Sequence, residues 1–474
     1  MSRASDADEA GGFQPPDADH FQTRSVFPHD MTSSSSRIRH PLLWVPSSYF
    51  AEGIPFALVI WVAGTMFKDL GHTDGEITVA TASIGIAWSL KPFWAAFLDM
   101  YRTKKFFVLA MEIVMSALLI VMALALPLPN YFRIVVSILW VLAFASSTQD
   151  ICVDGIYITT LDGKKQATYI GVQGVFWNVG RIFSTAAIVW AAGSLREDQH
   201  LSSTAAWGWA LGLSAATLGA LAIYHYFFLP TGSITTRPHN FAEVFETFIA
   251  TWVDFFKKDK IIGMLLFVFL YRSAEGLLLI EGPLFLQAPL DAGGIGLTLK
   301  EKGIIDGTIS TGVSLVAGLL GGAFMARYGL RRRTLVIMAL CLNIPHATYI
   351  YLSQTVSPDH PLSLWVVGSL VTIEKFGYSF GFVANMLYMM QQISPGKYHM
   401  THYAYCTALM NLMLVPTQAI SGPLADALGY RTYFLVVFFA AVPSVVAAMF
   451  APFPRGTIGG SGSDDAAAVP RGAH

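Results

Sequence analysis

Twelve apolar stretches, each about as long as a bilayer is thick, dominate this sequence and decide what solvent it folds in. A helix needs about 20 apolar residues to cross the hydrocarbon core. Stretches of that length recur near 42–67, 77–98, 106–128, 133–160, 168–193, 205–229, 261–286, 302–326, 333–353, 363–392, 400–424 and 431–452. Of 474 residues, 54% are hydrophobic and 13% charged, against about a quarter charged in a soluble domain. A water-soluble core could not hide that much apolar surface, whereas a bilayer can. Lipid offers backbone groups no hydrogen-bond partners, so each stretch must bond internally as a helix. The expected fold is an all-α integral membrane protein of twelve transmembrane helices in two six-helix bundles.

Loop charges give the orientation. Basic residues gather at every second connection: Arg37 and Arg39; Arg102, Lys104 and Lys105; Lys164 and Lys165; Lys257, Lys258 and Lys260; Arg327 and Arg331 to Arg333; Lys397. The alternate loops hold Lys68, Arg133, Arg196, Lys300, Lys302 and Arg431, mostly singly. The positive-inside rule then predicts both termini in the cytoplasm, and an even number of spans agrees with that. Polar, small-residue-rich composition predicts disordered cytoplasmic tails at 1–38 and 454–474. Residues 1–36 lack an apolar core, so no cleavable signal peptide is expected. The domain plan is a first bundle over 39–230, a cytoplasmic linker over 231–260 and a second bundle over 261–453. Within the linker, 241–256 places apolar residues at 241, 244, 245, 248, 249, 252 and 256. That spacing makes one apolar face and predicts a helix lying on the membrane surface, or else an extension of the seventh span. AAFLDMYRTKK (95–105) and GGAFMARYGLRRR (321–333) fall at equivalent loops of the two halves, as an internal repeat would. Asp99, Arg102, Arg327 and Arg331 in them are expected to latch helix ends.

Ionisable residues inside the spans carry the functional argument, because each costs about 2.5–3.5 kcal/mol near the bilayer centre. Glu52, Lys91, Asp150, Asp154, Arg181, Arg272, Glu275, Glu281 and Glu374 all occur there and must border protein or a wet passage. Asp150 and Asp154, four apart, share one helix face. Glu52 and Lys91 fall at a similar depth. Two close carboxylates in low dielectric cannot both ionise easily, so Asp150, Asp154, Glu52 and Glu374 are the proton-coupling candidates. Lys91 is either a permanent ion-pair partner or a substrate ligand. Arg181 and Arg272 either hold an anionic substrate group or balance Glu275 or Glu281. Lys375 is expected only to pack, and Glu112 and Asp306, nearer span ends, to be solvated. Gln149, Gln173, Trp177, Asn178, Asn385, Tyr388 and Asn411 are further substrate-binding candidates, suited to a hydroxyl- and amide-bearing ligand; interhelical hydrogen bonding explains them equally well. EGIP (52–55) and EGP (281–283) are expected to loosen the backbone at corresponding places in the two halves.

Other chemistries lack their residues. Three cysteines without paired spacing give neither a disulfide framework nor a zinc site, so no metal and no cofactor are expected. No Walker A, GxSxG, HExxH or dinucleotide fingerprint stands in a suitable context, so an enzyme is not expected. A net charge of −1 gives no basic field for nucleic acid.

YFAEGIPFAL (49–58), SLKPFWAAFLD (89–99), SSTQDICVDG (146–155) and SGPLADALGY (421–430) resemble the major facilitator superfamily, in particular its muropeptide permease (AmpG-like) and acetyl-CoA transporter group. The QD-x-x-x-D run in the fourth span is the most specific of these. The resemblance implies the major facilitator fold and proton-driven symport across the bacterial inner (plasma) membrane, classically of cell-wall-derived anhydromuropeptides. It also implies that Asp150 and Asp154 match the group's paired aspartates and that Glu374 matches its acidic position in the tenth span. Glu52 stands where muropeptide permeases carry a small residue, and Lys91, Arg181 and Glu275 add a distinct charge pattern. Siderophores and coenzyme A esters are the alternative cargoes, and a non-transporting membrane sensor the alternative class. The expected partners are a small-molecule substrate, protons and lipid, with the chain a monomer working by alternating access.

Overall fold

The computed structural model describes residues 40–456 apart from 92, 95–97, 99–102, 233–240 and 397. The tails at 1–38 and 457–474, Asp99, Arg102, Lys397 and most of the 95–105 repeat therefore lie outside the described residues. Among the described residues the regular structure is helical, with one isolated bridge between Ser357 and His360.

Twelve spans can be traced among the described residues. Eight are apolar helical runs: Pro41–Asp69, Lys104–Ala125, Tyr131–Thr160, Gly171–Glu197, Ser203–Phe228, Ile261–Gln287, Leu299–Tyr328 and Arg332–Thr355. The second span comprises the helices Asp74–Thr81 and Ile86–Ser89, and the tenth is Leu364–Tyr388. The last two meet at Gly429, where φ 70° and ψ 152° leave the helical region; a positive φ of this kind suits glycine, which has no Cβ to clash. Local chemistry starts the helices. Thr73 with Glu76, and Thr298 with Glu301, close reciprocal capping boxes, while Asp162, Ser202 and Ser363 each accept an N-terminal backbone amide. These caps satisfy amides that have no intrahelical partner.

The first span packs on the fourth and fifth, and the third on the fourth and sixth. In the second half the tenth span packs on the eighth and ninth, and the seventh on the eleventh. Glycines set two of the closest approaches. A Cβ on Gly53 would collide with the Trp177 carbonyl, and one on Gly180 with the Phe50 carbonyl, so the first and fifth spans touch backbone to backbone. Large side chains such as Ile262, Leu319 and Trp365 point outward, as lipid-facing positions should.

Among the described residues, the span pairs that join the halves include second with eleventh, second with seventh, fifth with eighth, and first with seventh. Hydrogen bonds join them at the face opposite the chain ends. Gly75 N donates to Asp426 Oδ2 at 2.8 Å, Gln287 Nε2 to the Thr65 carbonyl at 3.0 Å, and Lys300 Nζ to Asp198 Oδ1 at 2.6 Å. The fifth and eighth spans cross where each forms a wide π-helical turn, Phe183–Ile188 and Gly303–Ile309.

Three expectations need revision. Glu112 is fully buried rather than solvated, because the third span turns it inward: its Oε1 meets His225 Nδ1 at 2.7 Å and accepts Gln149 Nε2 at 2.9 Å. Lys375 does more than pack, lying 3.1 Å from the Glu374 carboxylate. The seventh span breaks not at EGP but at 271–274; Pro283 stays inside the helix Glu275–Gln287, and its carbonyl accepts a hydrogen bond from Lys302. The helix Phe241–Phe256 is separate from the seventh span, since Lys260 at φ 55° interrupts the chain between them. Phe248, Trp252 and Phe255 pack on Tyr405, leaving Phe245, Ile249, Val253 and Phe256 exposed.

Candidate functional site

A cavity of about 320 Å³ opens in the half of the first bundle nearest the chain ends. Its walls are Tyr49 and Glu52 of the first span, Asp150 and Asp154 of the fourth, and Gln173, Gly174, Trp177 and Asn178 of the fifth. The sequence accounts for this convergence locally. Tyr49 and Glu52 are three apart, and Asp150 and Asp154, like Gln173 and Trp177, four apart; each pair shares one helix face, with Asn178 next to Trp177.

Four ionisable side chains form the polar floor. Lys91 pairs with Asp150 and lies within electrostatic reach of Asp154 and Glu52. The Tyr49 hydroxyl donates to Asp154 Oδ1 at 2.8 Å. Glu52 is nearly fully buried, and its Oε1 has no donor among the described residues. Three carboxylates thus face one ammonium and one phenol. With all three ionised the cluster carries excess negative charge, which a low-dielectric site resists; binding a proton or a cationic group relieves it.

An aromatic wall adjoins the floor. Phe56 stacks edge-on against Trp61 and Trp88 and lies 5.4 Å from the Trp177 ring centroid. The Arg181 guanidinium sits 4.5 Å over the Trp61 ring, within electrostatic reach of Asp306 and Tyr378 in the other half. Asn178, part of the cavity wall, donates its Nδ2 to the Gly174 carbonyl at 2.9 Å.

The second half holds two closed ion-pair groups. Arg272 binds Glu275 through two nitrogens, Tyr378 donates to Glu275 Oε1 at 2.8 Å, and Arg272 Nη1 reaches Asn411 Oδ1 at 3.4 Å. Arg272 therefore balances Glu275. Glu374 pairs with Lys375, close to Asp306.

Several candidates are placed away from the cavity. Gln149 is fully buried on Glu112. Asn385 donates to the Met410 sulfur at 3.4 Å inside the second bundle, and Tyr388 to the Pro452 carbonyl. Arg327 lies 5.7 Å over the Tyr328 ring, and the Arg331 amide donates to Thr334 Oγ1 at 2.9 Å. Conversely, Tyr49 is uncharged at neutral pH and carries no amide, so nothing in the sequence singles it out, although it stands in the YFAEG run. Its partner is 105 positions away.

Comparison with known proteins bears on this geometry. The family model of the Major Facilitator Superfamily matches residues 47–401. A putative transporter AmpG 4 of Rickettsia conorii is 22% identical over 84% of this chain and 93% of its own length. The anhydromuropeptide permease of Escherichia coli K12 is 25% identical over 84% of this chain and 77% of its own. Among solved structures, the nucleoside transporter NupG superposes with a TM-score of 0.64 at 14% identity, covering 86% of this chain and 98% of that one. A bacterial homologue of the human lysosomal transporter Spinster, inward-facing and unoccupied, gives 0.65 at 14% identity over 88% and 96%. At such identities these two speak for the fold alone.

Proposed function

Because this chain belongs to the Major Facilitator Superfamily and is an AmpG-like membrane transporter rather than an enzyme, we propose that it imports an anhydromuropeptide together with protons. The cavity carries the reading: carboxylates that bind and release a proton stand beside amides and indoles suited to a sugar–peptide ligand. Gln173 and Asn178 offer hydrogen bonds to hydroxyls and amides, and Trp177 offers a face for a sugar ring. Asp154 and Asp150 are the coupling groups. Tyr49 donates to the first when it is ionised, Lys91 pairs with the second, and Glu52 supplies the repulsion that makes one ionised state unfavourable. Glu374 is a secondary coupling group in the other half. Arg181, over the Trp61 ring beside the cavity, is the residue that meets a substrate carboxylate in this reading.

The terminal face is read as cytoplasmic, in the bacterial inner membrane, from the loop charges. The closed face then points outward, and the cavity opens inward after uptake. Each proton moved inward down a potential contributes about 2.3 kcal/mol per 100 mV, enough to drive accumulation.

The test is uptake of labelled anhydromuropeptide into proteoliposomes with an imposed pH gradient. Asp154→Asn and Asp150→Asn each abolish uphill uptake while retaining exchange of labelled for unlabelled substrate, because exchange needs no net proton movement. Uphill accumulation by both variants refutes the coupling assignment, and absence of exchange in the unsubstituted protein refutes the substrate.

A further inference from the structure

One buried carboxylate has no part in the cavity. Glu281, on the seventh span, is fully buried, and neither of its oxygens receives a hydrogen bond from a described donor. The acid facing it is Asp74 of the second span, whose helix packs on the seventh. Asp74 comes from the other half of the molecule and is itself buried.

The surroundings limit how this pair is balanced. Lys68 Nζ donates to Asp74 Oδ1 at 2.5 Å, and the Tyr430 hydroxyl donates to Asp74 Oδ2. Asp426, the remaining nearby acid, accepts the Gly75 amide. Lys302 donates to the Pro283 carbonyl, and the Tyr433 hydroxyl to the Leu277 carbonyl at 2.7 Å. Lys68 is thus the one cation bonded to the carboxyl pair among the described residues. Ionised carboxylates only accept hydrogen bonds, and two facing each other away from water cannot both stay ionised. Asp74 has two donors and Glu281 has none, so the shared proton belongs on Glu281.

We propose that Glu281 and Asp74 form a proton-binding site assembled by closure of the face opposite the chain ends. On closure one proton from water on that face forms an O–H bond on Glu281, which donates to Asp74 across the halves. On opening the pair separates and the proton returns to the same face. Acid on that face therefore favours the closed form seen here. The site is distinct from the Asp150–Asp154 cavity and needs no substrate.

Lys300, which bridges Asp198 and Glu197 across the halves on this face, responds to pH in the opposite sense. Lys300 and the Ser194 hydroxyl hold Asp198 below the usual carboxylate range. Its bridge persists at neutral pH and is lost only as pH falls through that lowered value, which would loosen closure.

The experiment places spin labels at the exposed loop positions Asn130→Cys and Asp359→Cys, one per half, on a background lacking the three native cysteines. Inter-label distances are measured in nanodiscs across a pH series without substrate. The closed-distance population is expected to fall as pH rises. Glu281→Gln keeps a donor to Asp74, so the closed population becomes high and loses its pH dependence. Asp74→Asn, whose amide donates back to Glu281, loses it likewise and serves if the first variant does not fold. In the unsubstituted protein the infrared carbonyl band of a protonated carboxyl grows with the closed population. An Asp150→Asn/Asp154→Asn double variant retains the pH response, which separates this site from the coupling reading. A pH-independent closed population in the unsubstituted protein, a native profile in Glu281→Gln, or loss of the response in the double variant overturns the proposal.

Discussion

Glu112 shows how much a single burial decides. Its carboxylate joins the third span to His225 of the sixth and Gln149 of the fourth, and His225 Nε2 reaches on to Ser47 of the first at 3.0 Å. Four spans thus share one polar knot in the dry interior. Removing the acid leaves buried partners unpaired, at about 1–3 kcal/mol for each orphaned group. Glu112→Ala is therefore expected to lower the midpoint of thermal unfolding in detergent well below that of Glu112→Gln, which keeps an acceptor and a similar shape. Equal midpoints for the two variants would remove the knot's assigned role. The same residue marks a limit of sequence reading. Position along a span suggested solvation, but the rotation of the helix about its own axis decides exposure, and each residue turns that by about 100°.

At the level of helices, the crossing of the first and fifth spans is set by what is missing from two side chains. Gly53 and Gly180 let the backbones touch, and that contact holds Glu52 of one helix against Trp177 of the other across the cavity. Gly53→Val forces the helices apart; overpacking of this kind typically costs about 1–3 kcal/mol. The expected result is a lower thermal midpoint together with loss of substrate exchange, read by size-exclusion fluorescence and counterflow on one preparation. Unchanged behaviour in both would show that the close approach is not required. The EGIP motif marked this region from sequence as a place of loosened backbone. Just beyond Pro55, a π-helical turn at Leu58–Val62 widens the helix while keeping it continuous. In the seventh span the corresponding motif stays helical, and the break falls four residues wide before Glu275, where the paired Arg272 and Glu275 bridge it. Gly and Pro signal possible flexibility; neighbouring helices decide where it is spent.

Across the whole molecule, closure rests on contacts between halves that lie hundreds of residues apart in the chain. Gly422 belongs to the eleventh span, yet a Cβ on it would collide with the Asp74 carbonyl of the second, and its amide donates to Thr78 Oγ1 at 3.2 Å. Gly422→Val should hold the halves apart at this face while each bundle keeps its own core. The expected outcome is a folded, monodisperse protein whose 130–359 label distance is long at every pH and whose substrate exchange is lost. A short distance in that variant would show that the second and eleventh spans do not control the face.

The bilayer as solvent, the twelve spans, the all-helical fold and the family are all legible in the sequence alone, since span length and apolarity answer to a fixed thickness of hydrocarbon. The sequence likewise marks which positions carry intramembrane charge, because each is conspicuous against an apolar background. Which charges meet is a different matter. That Tyr49 donates to Asp154, that Arg272 is already balanced by Glu275, and that Glu281 faces Asp74 rather than an arginine all depend on helix rotation and crossing. Those are fixed by packing between elements distant in the chain, such as glycines against backbone and one half against the other, and no local pattern encodes them.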